Sequence, residues 1–423
     1  MATAGPSKPT VFARVLEVLD TDPPELLLLI EDQVRQYPAP QTPPPPPGTL
    51  LPLDQFGKST PPGKGGQGGF LLANSDSGMP GHLGADALRW RSLGHAPSRM
   101  ALLRFRQQML RELRTWFDER DFLEVETPLL VSAPSPEAQF QPFAVTVEGA
   151  SEPAGFLITS PEFQMKRMLV GGFPRIYQIC RCFRGLESGQ RHNPEFSMLE
   201  WYRAGGTVED LVQDVEGFIS ALQHTVSGLR GITPPRLPKP PWHWITVQEL
   251  FWQHFQLDLD ELPDAARLRE AAVVQGYADC LGGAESYDDV FFRLWDRLEP
   301  ELGHEGPLFV HAWPLPLASL ARELPDLPGY ADRLELYVDG LELANGFGEL
   351  TDPAEQRRRF ESDLKNRTAS GRAAVPLDKA FLDSLEEAMP PAAGMALGIE
   401  RLLMWLSGTQ DIREVLAFAW GER

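Results

Sequence analysis

Apolar residues recur at three- and four-residue spacing through SRMALLRFRQQMLRELRTWFDERDF, where Leu102, Phe105, Met109, Leu113 and Trp116 share one face. That period predicts an amphipathic helix behind a Ser98 cap. FLEVETPLLV follows as a β-rich piece in which Pro128 stops regular pairing or marks an edge. A second helix is predicted to open at Ser160-Pro161, with serine as cap and proline at the first helical position, and to end at Gly171-Gly172. The period then falls to two. RIYQICRCFR (175–184) and EFSMLEWYR (195–203) read as strands joined by the polar GLESGQRHNP, a long-looped antiparallel hairpin.

Alternation places Phe196, Met198, Glu200 and Tyr202 on one face of the second strand, and Gln178, Cys182 and Arg184 on one face of the first. Charge interleaved with aromatics on such a strand is costly to bury unless it meets opposite charge, so either an internal ion network or a ligand completes it. In RLELYVDGLELANGFGEL (333–350), Asp339-Gly340 signals a two-residue turn. Val338 then faces Leu341, Tyr337 faces Glu342, and Glu335 shares the side of Glu342. Two carboxylates so placed are either a solvated pair or the holders of a cation such as Mg²⁺ beside a phosphate. Glu349 comes after a glycine-broken stretch that leaves its facing open.

GMALGIERLLMWLSG (394–408) reads as a small-residue strand, Gly398, then a helix with Leu402, Leu403 and Leu406 toward the core. Arg401 falls in its first turn, where the helix dipole disfavours a cation unless an anion is bound there. Glu162 likewise falls in a first turn, where complementing the dipole is sufficient reason for a carboxylate. Residues 207–320 read as mixed helix and loop, with PPRLPKPPW (234–242) as a surface connection.

Residues 1–95 are of another kind, with five consecutive prolines (Pro43 to Pro47) and the run GKGGQGG between short β-like pieces, VFARVLEVL, ELLLLIED, TLLPLDQF and GGFLLANS. They suit a minimal β-barrel or an irregular extension equally. Gly57-Lys58-Ser59-Thr60 imitates the end of a phosphate-binding loop, but Pro52 stands where that loop needs glycine.

Composition narrows the function. The chain has 423 residues, is 42% hydrophobic and carries a net charge of −20, so it is globular and disfavours a long nucleic-acid footprint, tRNA included. Residues 1–95 hold seven basic against nine acidic residues, which gives no electrostatic footprint for RNA. No apolar run reaches the roughly 18 residues a bilayer requires, and the N-terminus lacks a leader pattern, which together point to the cytoplasm. Three cysteines, two of them the alternating Cys180 and Cys182, make neither a disulfide framework nor a metal site.

Taken in order, EVETPLLV, FR…RHNPEF…EWY and GMALGIERL resemble motifs 1, 2 and 3 of the class II aminoacyl-tRNA synthetases. TSPEFQMKRMLV, RHNPEFSMLEWYR, ELANGFGELTD and ALGIERLLM are similar to the lysyl-tRNA synthetases and, more closely, to their short paralogues, the elongation factor P β-lysine ligases. The resemblance implies an α+β fold: a catalytic domain over residues 96–423 with an antiparallel sheet flanked by helices, preceded by the Pro/Gly-rich extension 1–95. It implies an ATP-dependent ligase, with Mg²⁺, that activates (R)-β-lysine or lysine as an adenylate and transfers it to a lysine side chain of elongation factor P. Arg184 and Arg401 would be catalytic. ATP would be held by Arg184, Glu187, Asn193, Phe196, Glu342, Leu343, Gly398 and Arg401, with Glu335 and Glu342 as metal ligands. Ser160, Pro161, Glu162, Tyr202, Glu349 and Ala396 would bind the amino acid, Glu162 at its backbone-side amine and Glu349 with Tyr202 at its terminal ammonium. Motif 1 implies a homodimer.

Three positions depart from the pattern. Gly185-Leu186-Glu187 stands where synthetases commonly have Asn-Glu, Glu400 replaces the usual aspartate, and Ala396 replaces the glycine of lysyl-tRNA synthetases. The added methyl disfavours α-lysine and suits an amine displaced to the β-carbon. A tRNA-charging synthetase and an inactive regulatory paralogue remain as other readings; retention of both phosphate arginines argues against the second.

Overall fold

The computed structural model describes residues 12–19, 25–30, 33–38, 50–52, 99–137, 140–227 and 239–421. The chain divides into two compact units, 1–102 and 103–423. In the first, β1 (Phe12–Leu19), β2 (Glu25–Ile30), β3 (Gln33–Pro38) and β4 (Leu50–Pro52) form an antiparallel sheet in the order β3-β2-β1-β4. Three of the four expected β pieces supply strands, and β3 was not anticipated. The fourth piece (68–75), closure into a barrel, the phosphate-loop imitation and the Ser98 cap lie outside the described residues.

The second unit is built on an eight-stranded sheet. Its strands are β5 (Leu123–Glu124), β9 (Arg175–Phe183), β10 (Glu195–Ala204), β11 (His243–Thr246), β12 (Leu308–Pro314), β13 (Tyr330–Val338), β14 (Leu341–Gly348) and β15 (Ala392–Gly398). They run in the order β11-β12-β13-β14-β15-β10-β9-β5, antiparallel except for parallel pairing at the two edges. β6 (Leu130–Val131), β7 (Ala144–Val145) and β8 (Gly155–Leu157) form a separate small sheet. Pro128 thus separates two short strands that belong to different sheets.

Helices cover both faces. α1 (Arg99–Asp118) buries Phe105, Met109, Leu113 and Phe117, and the Phe117 ring stacks on Tyr177 of β9 at 4.6 Å between centroids. α3 (Val208–Ser227) adds Phe218, whose ring meets Trp201 of β10 edge to face at 5.7 Å. On the opposite face lie α2 (Glu162–Val170), α7 (Pro353–Ala369) and α8 (Lys379–Glu386), where Phe163 stacks on Phe381 at 4.6 Å. Residues 207–320, expected as mixed helix and loop, also supply the strands β11 and β12, and hold α4 (Val247–Phe255), α5 (Ala265–Val274) and α6 (Tyr287–Leu298), packed with Trp313 and Tyr337 in a second core. α9 (Ile399–Ser407) and the short α10 (Ile412–Val415) complete the unit. Among the described residues no helix is long and apolar enough to cross a membrane.

Two local expectations shift. α2 begins one residue later than predicted: Pro161 is its N-cap, its carbonyl accepting from Met165 N–H at 3.1 Å, so Ser160 lies just outside. The Asp339-Gly340 turn pairs Val338 with Leu341 and Tyr337 with Glu342 as derived, but an irregularity at Leu343 then sets Glu335 opposite Asn345. A bulge of this kind adds one residue to one strand and re-aims the side chains beyond it.

Candidate active site

Alternation along β9 and β10 decides which side chains meet. Phe196 pairs with Cys182, Met198 with Cys180 and Glu200 with Gln178, so one face of the hairpin carries Phe196, Met198, Glu200 and Tyr202. Over that face lie two cavities sharing Arg184, Met198, Asn345 and Ala396 as a seam. One is also walled by Ser160, Glu162, Arg333 and Phe347, the other by Glu187, His192, Asn193, Phe196, Glu342, Leu343, Gly398 and Arg401.

Arg184 sits at the seam. Its guanidinium lies 4.2 Å from the centre of the Phe140 ring and 5.2 Å from that of Phe196, while its buried Nε has no hydrogen-bond partner. A cation stacked on two aromatics and short of an acceptor is a ready anion site. The motif departure beside it has a steric reason: Gly185 N–H donates to Gln141 O at 2.7 Å, and a Cβ on Gly185 would lie 2.8 Å from that same oxygen. Leu186 then turns out to solvent at φ 67°.

At the other end of the second cavity, Arg401 projects from the first turn of α9. It donates to Glu342 O at 2.6 Å and Glu342 Oε2 at 3.2 Å, and to His192 Nε2 at 2.8 Å. Gly398 is the N-cap and has no side chain to satisfy the helix's first amides. Free N–H groups beside a guanidinium suit a phosphate. Asn193 is buried and braced inside the protein, donating to Glu195 O at 2.6 Å and accepting from Trp420 N–H at 2.8 Å. Glu400, buried behind the cavity, accepts from Ser197 N–H at 2.7 Å and pairs with Arg106 of α1 at 3.2 Å.

Beyond the seam the chemistry reverses sign. Glu162 reaches the first cavity from the start of α2, while Glu200, Tyr202 and Glu349 lie buried beneath it. Ser160 donates to Glu200 Oε2 and Tyr202 to Glu200 Oε1, both at 2.6 Å. Lys166, one helical turn after Glu162 and only 1% exposed, places Nζ 2.5 Å from Glu162 Oε1 and 2.5 Å from Glu349 Oε2. The Lys166 ammonium is the only ion-pair partner of Glu349 among the described residues. Burial, with repulsion from Glu162, pushes the Glu200 carboxyl up to about 7. Burial likewise raises Glu349 to about 8 against the opposing pull of Lys166. Pro161 is buried and off the cavity wall.

The acidic pair is asymmetric. Glu342 faces the second cavity beside Arg401, whereas Glu335 is buried and bonded through both oxygens, to Arg333 and Asn345 on one and to Tyr337 on the other. No group of three or more His, Cys, Asp or Glu residues among the described ones is arranged to hold a metal by itself. One available carboxylate beside the Arg401 guanidinium does fit Mg²⁺, which is commonly held by one or two carboxylates together with substrate phosphates.

Sequence reasoning missed several groups here. Lys166 was signalled by its four-residue spacing from Glu162 on a predicted helix. Gly394 left no mark beyond its small-residue strand, yet a Cβ there would sit 2.2 Å from Tyr202 Cε1 and 2.8 Å from Glu349 Oε1. Glu299, just after α6, is raised to about 7 by burial and by Glu342 and Glu335, a long-range proximity with no local signature. Glu137, on the wall of the first cavity, is also raised to about 7, by burial and then Glu162.

The family model described as "tRNA synthetases class II (D, K and N)" matches residues 87–421. Among curated proteins, the chain is 39% identical over 318 residues to the elongation factor P–(R)-β-lysine ligase of Erwinia tasmaniensis, covering 74% of this chain and 93% of that protein. The proteins of the same name from Edwardsiella ictaluri and Klebsiella pneumoniae are 38% and 37% identical with the same coverage.

Proposed function

The chain belongs to the class II tRNA synthetases, and from that membership we propose that it activates (R)-β-lysine with ATP and transfers the acyl group to a lysine side chain of elongation factor P. The observation that carries this reading is the meeting of two unlike cavities at Arg184: carboxylates suited to amines on one side, Arg401 and an uncapped helix start suited to phosphate on the other.

In the first step an oxygen of the substrate carboxylate attacks the α-phosphorus of ATP and pyrophosphate leaves. Arg184 bridges the two reacting groups, Phe196 supports adenine, and Arg401 holds the far phosphates, so the protein's part is positioning and charge stabilisation. Glu342, with Glu335 behind it, would hold Mg²⁺, which neutralises phosphate charge when bound. In the second step the acceptor amine attacks the acyl carbon and AMP leaves. Glu162 reads the backbone-side amine, and Glu349 with Tyr202 the terminal ammonium. The selectivity stems from the penalty of leaving a buried carboxylate unpaired when one amine is missing. The Ala396 methyl at the seam narrows the space beside the reacting carboxylate and favours the β-amine.

We assign this catalysis to residues 96–423, working in the cytoplasm as a homodimer through motif 1, with residues 1–95 as a separate extension. ATP–pyrophosphate exchange with (R)-β-lysine against α-lysine, followed by transfer to elongation factor P and to tRNA, tests the reading. Preference for (R)-β-lysine with label on the protein supports it; exchange driven by α-lysine with charged tRNA makes the chain a lysyl-tRNA synthetase instead.

A further inference from the structure

Lys166 is the only side chain making an ion pair to either Glu162 or Glu349 among the described residues, and it pairs with both. Around it stand Glu162 on its own helix, Glu200 and Tyr202 on β10 and Glu349 just after β14. Glu137, from the loop after β6, lies outside this count: it meets the group through repulsion from Glu162 and accepts a hydrogen bond from Ser135. Tyr202 stays neutral, because burial and Glu200 push its hydroxyl well above the ordinary tyrosine range. Glu162, Glu200 and Glu349 therefore bring three potential negative charges together, and Lys166 is the one cation paired with any of them among the described residues: Arg333, on the same cavity wall, pairs with Glu335, and Arg184 stands at the seam.

We propose that Lys166 is a specificity-determining residue, a permanent ammonium that offsets one of the three carboxylates and leaves two uncompensated charges, so that the complement of the pocket is a diamine. This rests on the substrate reading above and deepens it: the number of ammonium groups accepted is set by a charge count to which the protein itself contributes. A monoamine leaves one buried carboxylate without a counter-charge, and a pocket lacking Lys166 holds one negative charge too many. Because like charges at close range resist joint ionisation, such a pocket takes up a proton instead. Lys166 also fixes direction, since its ammonium ties Glu349 toward Glu162.

Lys166→Met removes the charge and nearly keeps the shape; Lys166→Met with Glu349→Gln removes one charge of each sign. Without ligand, the difference in Tm between Lys166→Met and the wild type should widen by about 3 °C or more between pH 6 and pH 9, as the unpaired carboxylates are forced to ionise. The double variant should abolish that widening, and it should recover folded protein if the single variant fails to accumulate. In pyrophosphate exchange, Lys166→Met should raise KM for the diamino acid about tenfold at pH 9, corresponding to about one pKa unit, with KM for ATP unchanged and the gap closing toward pH 7, where a bound proton takes the place of the lost ammonium. A Tm difference independent of pH, or a double variant no better than the single one, overturns the role of Lys166. Absence of exchange by the wild type with any diamino acid overturns the substrate reading instead, and the ligand-free Tm series still decides the charge count.

Discussion

Arg401 donates to His192 Nε2 at 2.8 Å. A guanidinium only donates, so the imidazole must accept there and carry its proton on Nδ1. Loss of hydration and then the Arg401 charge hold the His192 pKa down at about 4, which keeps the ring neutral through the working range. The histidine of RHNPEF thus aims the arginine at the end of α9. His192→Ala should leave Arg401 free to collapse onto Glu342, raising KM for ATP about tenfold, the value of one lost hydrogen bond to a charged group. Pyrophosphate exchange with ATP varied and then amino acid varied checks this; equal changes in both KM values would mean a general loss of folding.

Gly394 acts at the opposite end. With Tyr202 Cε1 only 2.2 Å from where a Cβ would stand, Gly394→Ala must displace the ring and, with it, the hydroxyl that donates to Glu200. The expected result is an amino-acid KM raised tenfold or more, an ATP KM near that of the wild type, and a loss of about 1–3 kcal/mol of stability from overpacking. Exchange kinetics together with urea denaturation separate the two effects.

Glu200 and Glu349 make ligand binding depend on pH. Their pKa values, raised to about 7 and about 8 from 4.5, mean that the folded protein binds more protons than the unfolded chain. Their contribution to stability is accordingly full below about pH 4.5 and lost as pH rises through 7 to 8. A diamine that requires both carboxylates ionised reverses the trend. The rise in Tm caused by (R)-β-lysine should therefore grow between pH 6 and pH 8 in thermal melts, and a rise that shrinks over that range would contradict the pairing.

Phe117 offers a control far from chemistry. It is fully buried, stacks on Tyr177 and touches Trp201 on the face of the sheet away from the cavities. Phe117→Ala should cost about 3–5 kcal/mol in denaturant unfolding while leaving both KM values of the folded enzyme within about twofold.

The legible parts of the structure are those whose physics is local. Alternation located β9 and β10 and the face bearing Phe196, Glu200 and Tyr202; Asp339-Gly340 located the β13–β14 turn; the three- and four-residue spacing located α1. The parts that escaped were set by distance in sequence. The bulge at Leu343 changes which residue faces Glu335 without altering composition, and Glu299 approaches Glu342 only because α6 packs beneath the sheet. Lys166 lay between: its pairing with Glu162 was readable from helical spacing, but its second partner, Glu349, is brought in by the far end of β14. The family resemblance named arginines and carboxylates that the fold brings to the two cavities or beneath them, yet it did not show that one carboxylate pair already shares an internal cation.

The bond from Trp420 N–H to Asn193 Oδ1, and that from Ile412 N–H to Gln190 O at 2.9 Å, fasten the closing residues of the chain onto the connection between β9 and β10. A tag or a cut placed against Trp420 therefore pulls at the loop that supplies His192 and Asn193 to the second cavity.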